Sequence, residues 1–285
     1  MATNFPGLRP IWKKNCEEER LLGVDINGQM DCPLLRPTNP TLKETFSLLK
    51  AHAIETNKKY AKLLGIPRSA SITCVKPSGN SSQLFNCASG LHARFAPYYI
   101  RNIRVQDHSS LFKVLESQHV PMHKDVYNPN AYVVHFPVKS PDGAVLRSDM
   151  PALKQCEHWL VNKEHWTEHN PSVTISYTPE EVPSLIAWVW KHRNKIGGMS
   201  FLPKDNAHYE QMPYEEITEE QYYAAVSVFP KINFASLYHF EKEDFTKAAT
   251  ELACVSGACE YDPLAPTHPP VFAIKTEEIP AIIPA

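Results

Sequence analysis

The sequence predicts an α/β protein whose parallel strands are joined by crossover helices. Three stretches carry that expectation. Residues 21–31 read as a short strand entering a glycine turn, residues 41–65 as a long amphipathic helix, and residues 72–75 as a buried apolar strand. A strand, a helix and a strand in that order pair in parallel, with the helix as the crossover.

The elements follow in order. Residues 1–20 read as an exposed leading segment ending in the charged run Lys13-Lys14-Asn15-Cys16-Glu17-Glu18-Glu19-Arg20. The long helix has Thr41 and Glu44 as a capping box, and Leu42, Phe46, Leu49, Ala53, Tyr60 and Leu64 along one face. Gly65 followed by Pro67 is its stop signal. Further on, residues 102–105 continue as a strand, 111–118 as a helix and 131–138 as a strand. Residues 139–144 read as an exposed loop, 153–161 as a helix carrying Cys156, His158 and Trp159, and 170–177 as a strand. Pro179 and the two following acids open a helix whose Leu185, Ile186, Trp188, Val189 and Trp190 read as packing against a sheet. Residues 196–203 are the last clear strand.

Composition narrows the function classes. The chain has 285 residues, 43% of them hydrophobic, with 12 Phe, 12 Tyr and 5 Trp, enough to bury a core. Its net charge of −2 and the lack of a basic block give no electrostatic case for binding DNA or RNA. Neither a signal peptide nor an apolar run of about 18 residues is present, so a cytoplasmic protein off the membrane is expected. Seven cysteines at irregular spacing fit free thiols better than a disulfide framework.

The stretch with most chemistry follows the strand at 72–75. Pro77, Ser78, Gly79 and Asn80 break the strand, and Ser81 and Ser82 start a helix. Small residues at such a turn leave backbone N–H groups free for a phosphate, while an ordinary capped turn has the same spacing. Directly afterwards comes Gly90-Leu-His92-Ala-Arg94, then Tyr98-Tyr99-Ile-Arg101-Asn-Ile-Arg104.

Together, Thr73-Cys-Val-Lys-Pro-Ser-Gly-Asn80, the Gly90–Arg94 segment and the Tyr98–Arg104 strand resemble the C-terminal half of class II, adenosylcobalamin-dependent ribonucleotide reductases. Leu22-Gly-Val-Asp-Ile-Asn-Gly-Gln-Met-Asp31 and the stretches 170–175, 199–203 and 213–218 agree, so the resemblance spans roughly residues 8–260. Departures from the family pattern are Asn27 and Asn80 for threonine, Ala93 for proline and Asn102 for arginine.

The resemblance implies the second half of a ten-stranded α/β barrel over residues 21–230, with a flexible Cys- and Pro-containing tail over 231–285. It implies reduction of ribonucleoside di- or triphosphates to 2′-deoxyribonucleotides by a thiyl radical that adenosylcobalamin generates. Pro77, Ser78, Gly79, Asn80, Ser81 and Ser82 would hold the substrate phosphates, with His92 and Arg94 as neighbours of that loop. His92 is equally open as a satisfied structural histidine; Arg94 and Arg101 have planar forks that suit phosphates, but a structural ion pair is the commoner fate of an arginine. Cys254-Val-Ser-Gly-Ala-Cys259 matches the family's tail pair, which would draw reducing equivalents from a thioredoxin- or glutaredoxin-like donor. Zinc is not indicated, since His239 and His268 give no ligand spacing beside that pair.

One departure outweighs the others. The family's Asn-Pro-Cys-(any)-Glu loop, which carries the radical cysteine, does not occur in these 285 residues. The nearest lookalike, Asn15-Cys16-Glu17-Glu18, lacks the proline and reads as surface. The expectation is therefore a split enzyme that needs a separate N-terminal chain, with the Met1 start in agreement. The alternative is a non-catalytic nucleotide-binding or scaffold protein derived from such a reductase. A thiol module using the tail cysteines alone would leave the serine loop without a role.

Overall fold

The computed structural model describes residues 7–76, 78–79, 81–204 and 210–241. Pro77, Asn80, Cys254 and Cys259 therefore lie outside the described residues. The chain divides into Met1–Ile232 and a second unit, Asn233–Ala285, whose described part is a 3-10 helix at Phe234–His239 capped by Asn233.

In the first unit, α1 (Pro10–Glu19) has no buried residue and precedes β1 (Val24–Asp25). The exposed leading segment thus contains a helix, started by Pro10 at its first turn and supported by the Lys13–Glu17 and Lys14–Glu18 pairs. The long helix α2 (Leu42–Leu64) ends as its sequence suggests. Gly65 takes φ +65°, its N–H bonds Lys62 O, and Ile66 N–H bonds Ala61 O. The capping box does not form. Thr41 Oγ1 donates to Asn39 Oδ1 at 3.1 Å and is turned away from the helix amides.

β2 (Thr73–Cys74) lies parallel to β1, so α2 is the crossover the sequence implies. After the short helix α3 (Ser81–Leu84), however, the largest sheet is antiparallel. β3 (Tyr98–Gln106) pairs along nine residues with β5 (Ala131–Lys139), flanked by β4 (Met122–Lys124) and β8 (Tyr214–Glu216). α4 (Ser110–Ser117) lies between β3 and β4 in sequence. Phe112 and Leu115 of that helix bury against Val105 and Val134. The purely parallel expectation is thus corrected: the connection from β3 to β5 returns the chain alongside β3, and an antiparallel ladder results.

Parallel pairing resumes with β6 (Thr174–Tyr177) beside β7 (Ser200–Pro203). Ser172 N–H to Val75 O links this pair to the β2 side. α5 (Ala152–His165) and α6 (Val182–His192) join α2 over these strands, and their shared core holds Phe46, Trp159, Trp166, Ile175, Leu185 and Trp188. Each of the three tryptophan N–H groups finds an acceptor, Pro171 O, Cys74 O and Glu157 Oε1, as buried indoles require. Ile186 and Trp190 are exposed, so only part of the expected α6 stripe packs inward. α7 (Glu219–Val228), capped by Thr218, closes the unit. No helix among the described residues is long and apolar enough to cross a membrane.

Candidate functional site

The serine loop is built on a tightly anchored strand. Thr73 Oγ1 donates to Trp166 O at 2.6 Å, and Glu168 Oε2 accepts the amides of Ile72 and Thr73. The chain leaves this anchor at Val75 and must turn at once.

Two serines hold the turn. Ser82 N–H donates to Ser78 Oγ at 2.8 Å, and Ser82 Oγ donates back to Ser78 O at 2.6 Å. Ser89 Oγ also donates to Ser78 O. Both Ser78 and Ser82 are buried, whereas Gly79 and Ser81 are exposed. The described members of the expected set therefore divide into an inner pair that shapes the loop and an outer pair that faces solvent. Ser81 Oγ lies 2.7 Å from Ser78 Oγ, and the Arg101 guanidinium reaches Gly79 O at 3.4 Å. Arg101 is further steered by Tyr214, through a 3.0 Å bond to its hydroxyl and a ring contact at 5.4 Å.

A second segment clamps the loop from below. Asp25 Oδ1 accepts from Lys76 N–H, Asn27 Oδ1 from Gly90 N–H and Asp31 Oδ2 from Ala88 N–H. Gly28 and Gln29 N–H groups donate to Ala88 O and Gly90 O. Gly90 sits at φ +51°, and a Cβ there would come within 2.8 Å of Lys76 O, so no other residue fits the close approach.

Arg94 belongs to this clamp. Its fork makes two bonds to Asp31, at 3.0 and 2.9 Å, and further bonds to Asn86. It is buried, and it braces the loop without reaching into solvent. His92 is likewise satisfied: Nδ1 lies 3.1 Å from Ser89 O, and Nε2 accepts from Thr174 N–H at 3.0 Å. Those partners require the neutral ring protonated on Nδ1, and burial lowers its pKa accordingly.

Beneath the clamp lies a buried amide pair with a histidine. Gln29 and Asn162 exchange two bonds, and His158 Nε2 meets Gln29 Oε1 at 2.8 Å. His158 Nδ1 has no partner, and burial pushes the pKa of this ring down to about 4. None of Asp25, Asn27, Gln29, Asp31, His158 and Asn162 was singled out by sequence reasoning as a site residue. The only signal was that residues 25–31 lie in one of the matched segments.

The thiols near the loop are poorly suited to nucleophilic work. Burial raises the pKa of Cys74, of Cys87 and, to about 12, of Cys156, so the unreactive thiol form prevails. Cys16 is exposed on α1, as its surface reading anticipates. Beside it an apolar groove of 930 Å³ runs between α1, β1 and α2, lined by Trp12, Leu21, Leu49, Tyr60 and Leu64.

Comparison with known proteins gives a consistent set of likenesses. A probable adenosylcobalamin-dependent ribonucleoside-triphosphate reductase of Dictyostelium discoideum is 31% identical over 187 residues, 64% of this chain and 25% of the relative. The adenosylcobalamin-dependent ribonucleoside-triphosphate reductase of Levilactobacillus brevis is 27% identical over 233 residues, 78% of this chain and 30% of the relative. The chain thus spans between a quarter and a third of the length of the curated relatives it matches. No family model matches it. In fold it is similar to a crystal structure of a B12-dependent, class II ribonucleotide reductase, with a TM-score of 0.62 at 23% identity, over 71% of this chain and 29% of that one.

Proposed function

We propose that this chain, kin to the adenosylcobalamin-dependent ribonucleotide reductases, is the C-terminal part of such an enzyme and works with an N-terminal chain that carries the radical cysteine. The observation that carries the reading is the clamp of residues 25–31 on the serine loop, since both segments are among those that resemble the family. On this reading β1, β2, β6 and β7 are staves of one half of a ten-stranded barrel, and residues 21–230 form that half. The apolar groove beside α2 is then a face that the partner chain covers.

The substrate is a ribonucleoside triphosphate, as the relatives' names suggest, and the reaction replaces its ribose 2′-hydroxyl with hydrogen. Its phosphates meet Gly79 and Ser81 on the exposed side of the loop, near the Arg101 guanidinium, and Pro77 and Asn80 belong to the same proposed set. Ser78 and Ser82 hold that surface in shape. Cys254 and Cys259 restore the reducing thiols after each turnover, drawing on a thioredoxin- or glutaredoxin-like protein in the cytoplasm. Adenosylcobalamin, which the relatives' names carry, would supply the radical when bound, and a corrin brings its own ring ligands to the cobalt. No residue of this chain is assigned to its binding.

A bacterial strain stripped of its own reductases tests the reading. With cobalamin supplied, growth without added deoxynucleosides is expected only when this chain and its N-terminal partner are expressed together. Failure of the pair to restore growth, with both proteins present and soluble, would favour the non-catalytic binding protein.

A further inference from the structure

A row of polar side chains crosses the four-stranded sheet, and the reductase reading gives it no role. It runs from His123 on β4 through His135 on β5 and Asn102 on β3 to Glu215 on β8, one residue from each strand. His135 stands directly opposite Asn102, and His123 opposite Val133, two positions along β5 on the same face. β4 is an edge strand, so His123 is exposed, while Asn102 is buried.

The hydrogen bonds fix which ring atoms meet. Asn102 Nδ2 donates to Met212 O at 2.6 Å and to Glu215 Oε1, which uses both of its hydrogens. Its Oδ1 therefore accepts, and His135 Nδ1, 2.6 Å away, carries the hydrogen between them. In the neutral ring this leaves the Nε2 lone pair facing His123 Nδ1, 2.8 Å away. A histidine oriented in this way through its second nitrogen is the usual form of a metal ligand. Two nitrogens each about 2.0–2.1 Å from a zinc ion stand roughly 3 Å apart, close to the spacing already present. Arg104 shares the face, and the Asp125 carboxylate 2.7 Å away neutralises it. An arginine at 102, as in the family pattern, would offer His135 no acceptor.

We propose that His123 Nδ1 and His135 Nε2 form a binding site for a transition-metal cation of the zinc type. The cation takes the place of the hydrogen shared between the rings, and His123 carries its proton on Nε2 instead. Among the described residues no group of three or more His, Cys, Asp or Glu suited to a metal gathers, so water completes the coordination. The exposed His123 leaves the ion a way in. Once bound, it ties the edge strand β4 to β5. The proposal stands on the histidine row alone and does not rest on the reductase reading.

Calorimetric titration of the full chain with zinc chloride tests it, with Cys254→Ser and Cys259→Ser in place so that those thiols do not compete. One zinc ion per chain is expected, and imidazole ligands predict no response to magnesium. His123→Gln and His135→Gln should each weaken zinc by about tenfold or more, while His108→Gln, at an exposed histidine outside the row, leaves the affinity unchanged. Zinc should also raise the melting temperature, and either row variant should abolish the rise. Circular dichroism checks that the variants stay folded. Absence of zinc binding, or binding that either row variant leaves intact, would overturn the proposal. So would an equal loss on His108→Gln, because scattered histidines would then hold the ion.

Discussion

Asp31 is the residue on which the loop depends most. It meets a buried guanidinium with both oxygens and also accepts an amide from Ala88, so removing its charge strands Arg94 inside the protein. Breaking one partner of a buried pair costs about 3–5 kcal/mol. Asp31→Asn should therefore lower the unfolding free energy by about 3 kcal/mol in urea titrations, and a loss below about 1 kcal/mol would remove the clamp from the account. His158 makes a second residue-scale prediction. Its folded pKa, about 4, lies below the ordinary value of 6.5, so the unfolded chain binds the proton first as pH falls. The stabilisation is complete above 6.5 and drains away between 6.5 and 4. Compared with His158→Gln, the native chain should lose about 2 kcal/mol more stability between pH 7 and pH 5. Equal pH slopes for the two would contradict a neutral buried ring. Sequence reasoning found the serines because small polar residues after an apolar strand are a local pattern. It missed Asp31, Gln29 and His158 as site residues because their partners stand up to 133 positions away, and no local pattern reports such pairings.

At the scale of elements, α2 has two halves with different duties. Phe46 is fully buried against Trp166, with ring centroids 6.5 Å apart, while Leu49, Tyr60 and Leu64 stay exposed along the groove. Phe46→Ala should cost about 3–5 kcal/mol in thermal or urea unfolding. Leu64→Lys should change the stability of this chain by no more than about 0.5 kcal/mol, yet weaken capture of the N-terminal partner in sedimentation experiments. Unchanged assembly with Leu64→Lys would remove the groove from the interface. The start and stop of α2 were legible because Gly65 and the apolar spacing are local signals. The fate of its stripe was not, since periodicity reports which residues share a face and not what covers that face. The antiparallel sheet escaped for a related reason. β8 reaches β3 from more than a hundred residues away, and a pairing at that separation leaves no mark in a short window.

For the whole molecule, the parallel order of β1 with β2 and of β6 with β7 follows from alternating strands and helices, and that much was readable beforehand. The barrel half is implied only by family likeness, because alternation of strands and helices does not report how a sheet closes. An apolar groove of 930 Å³ and exposed Leu84 and Phe85 beside the serine loop are surfaces that a partner chain would relieve. The most direct measurement of the central claim is deoxynucleotide formation by this chain mixed with its N-terminal partner, adenosylcobalamin, a dithiol and a ribonucleoside triphosphate. The account predicts product from the mixture and none from either chain alone, with strong loss on Ser81→Ala combined with Arg101→Ala. With a protein reductant in place of the dithiol, Cys254→Ser should slow turnover. A mixture that assembles, binds nucleotide and still forms no deoxynucleotide would contradict it.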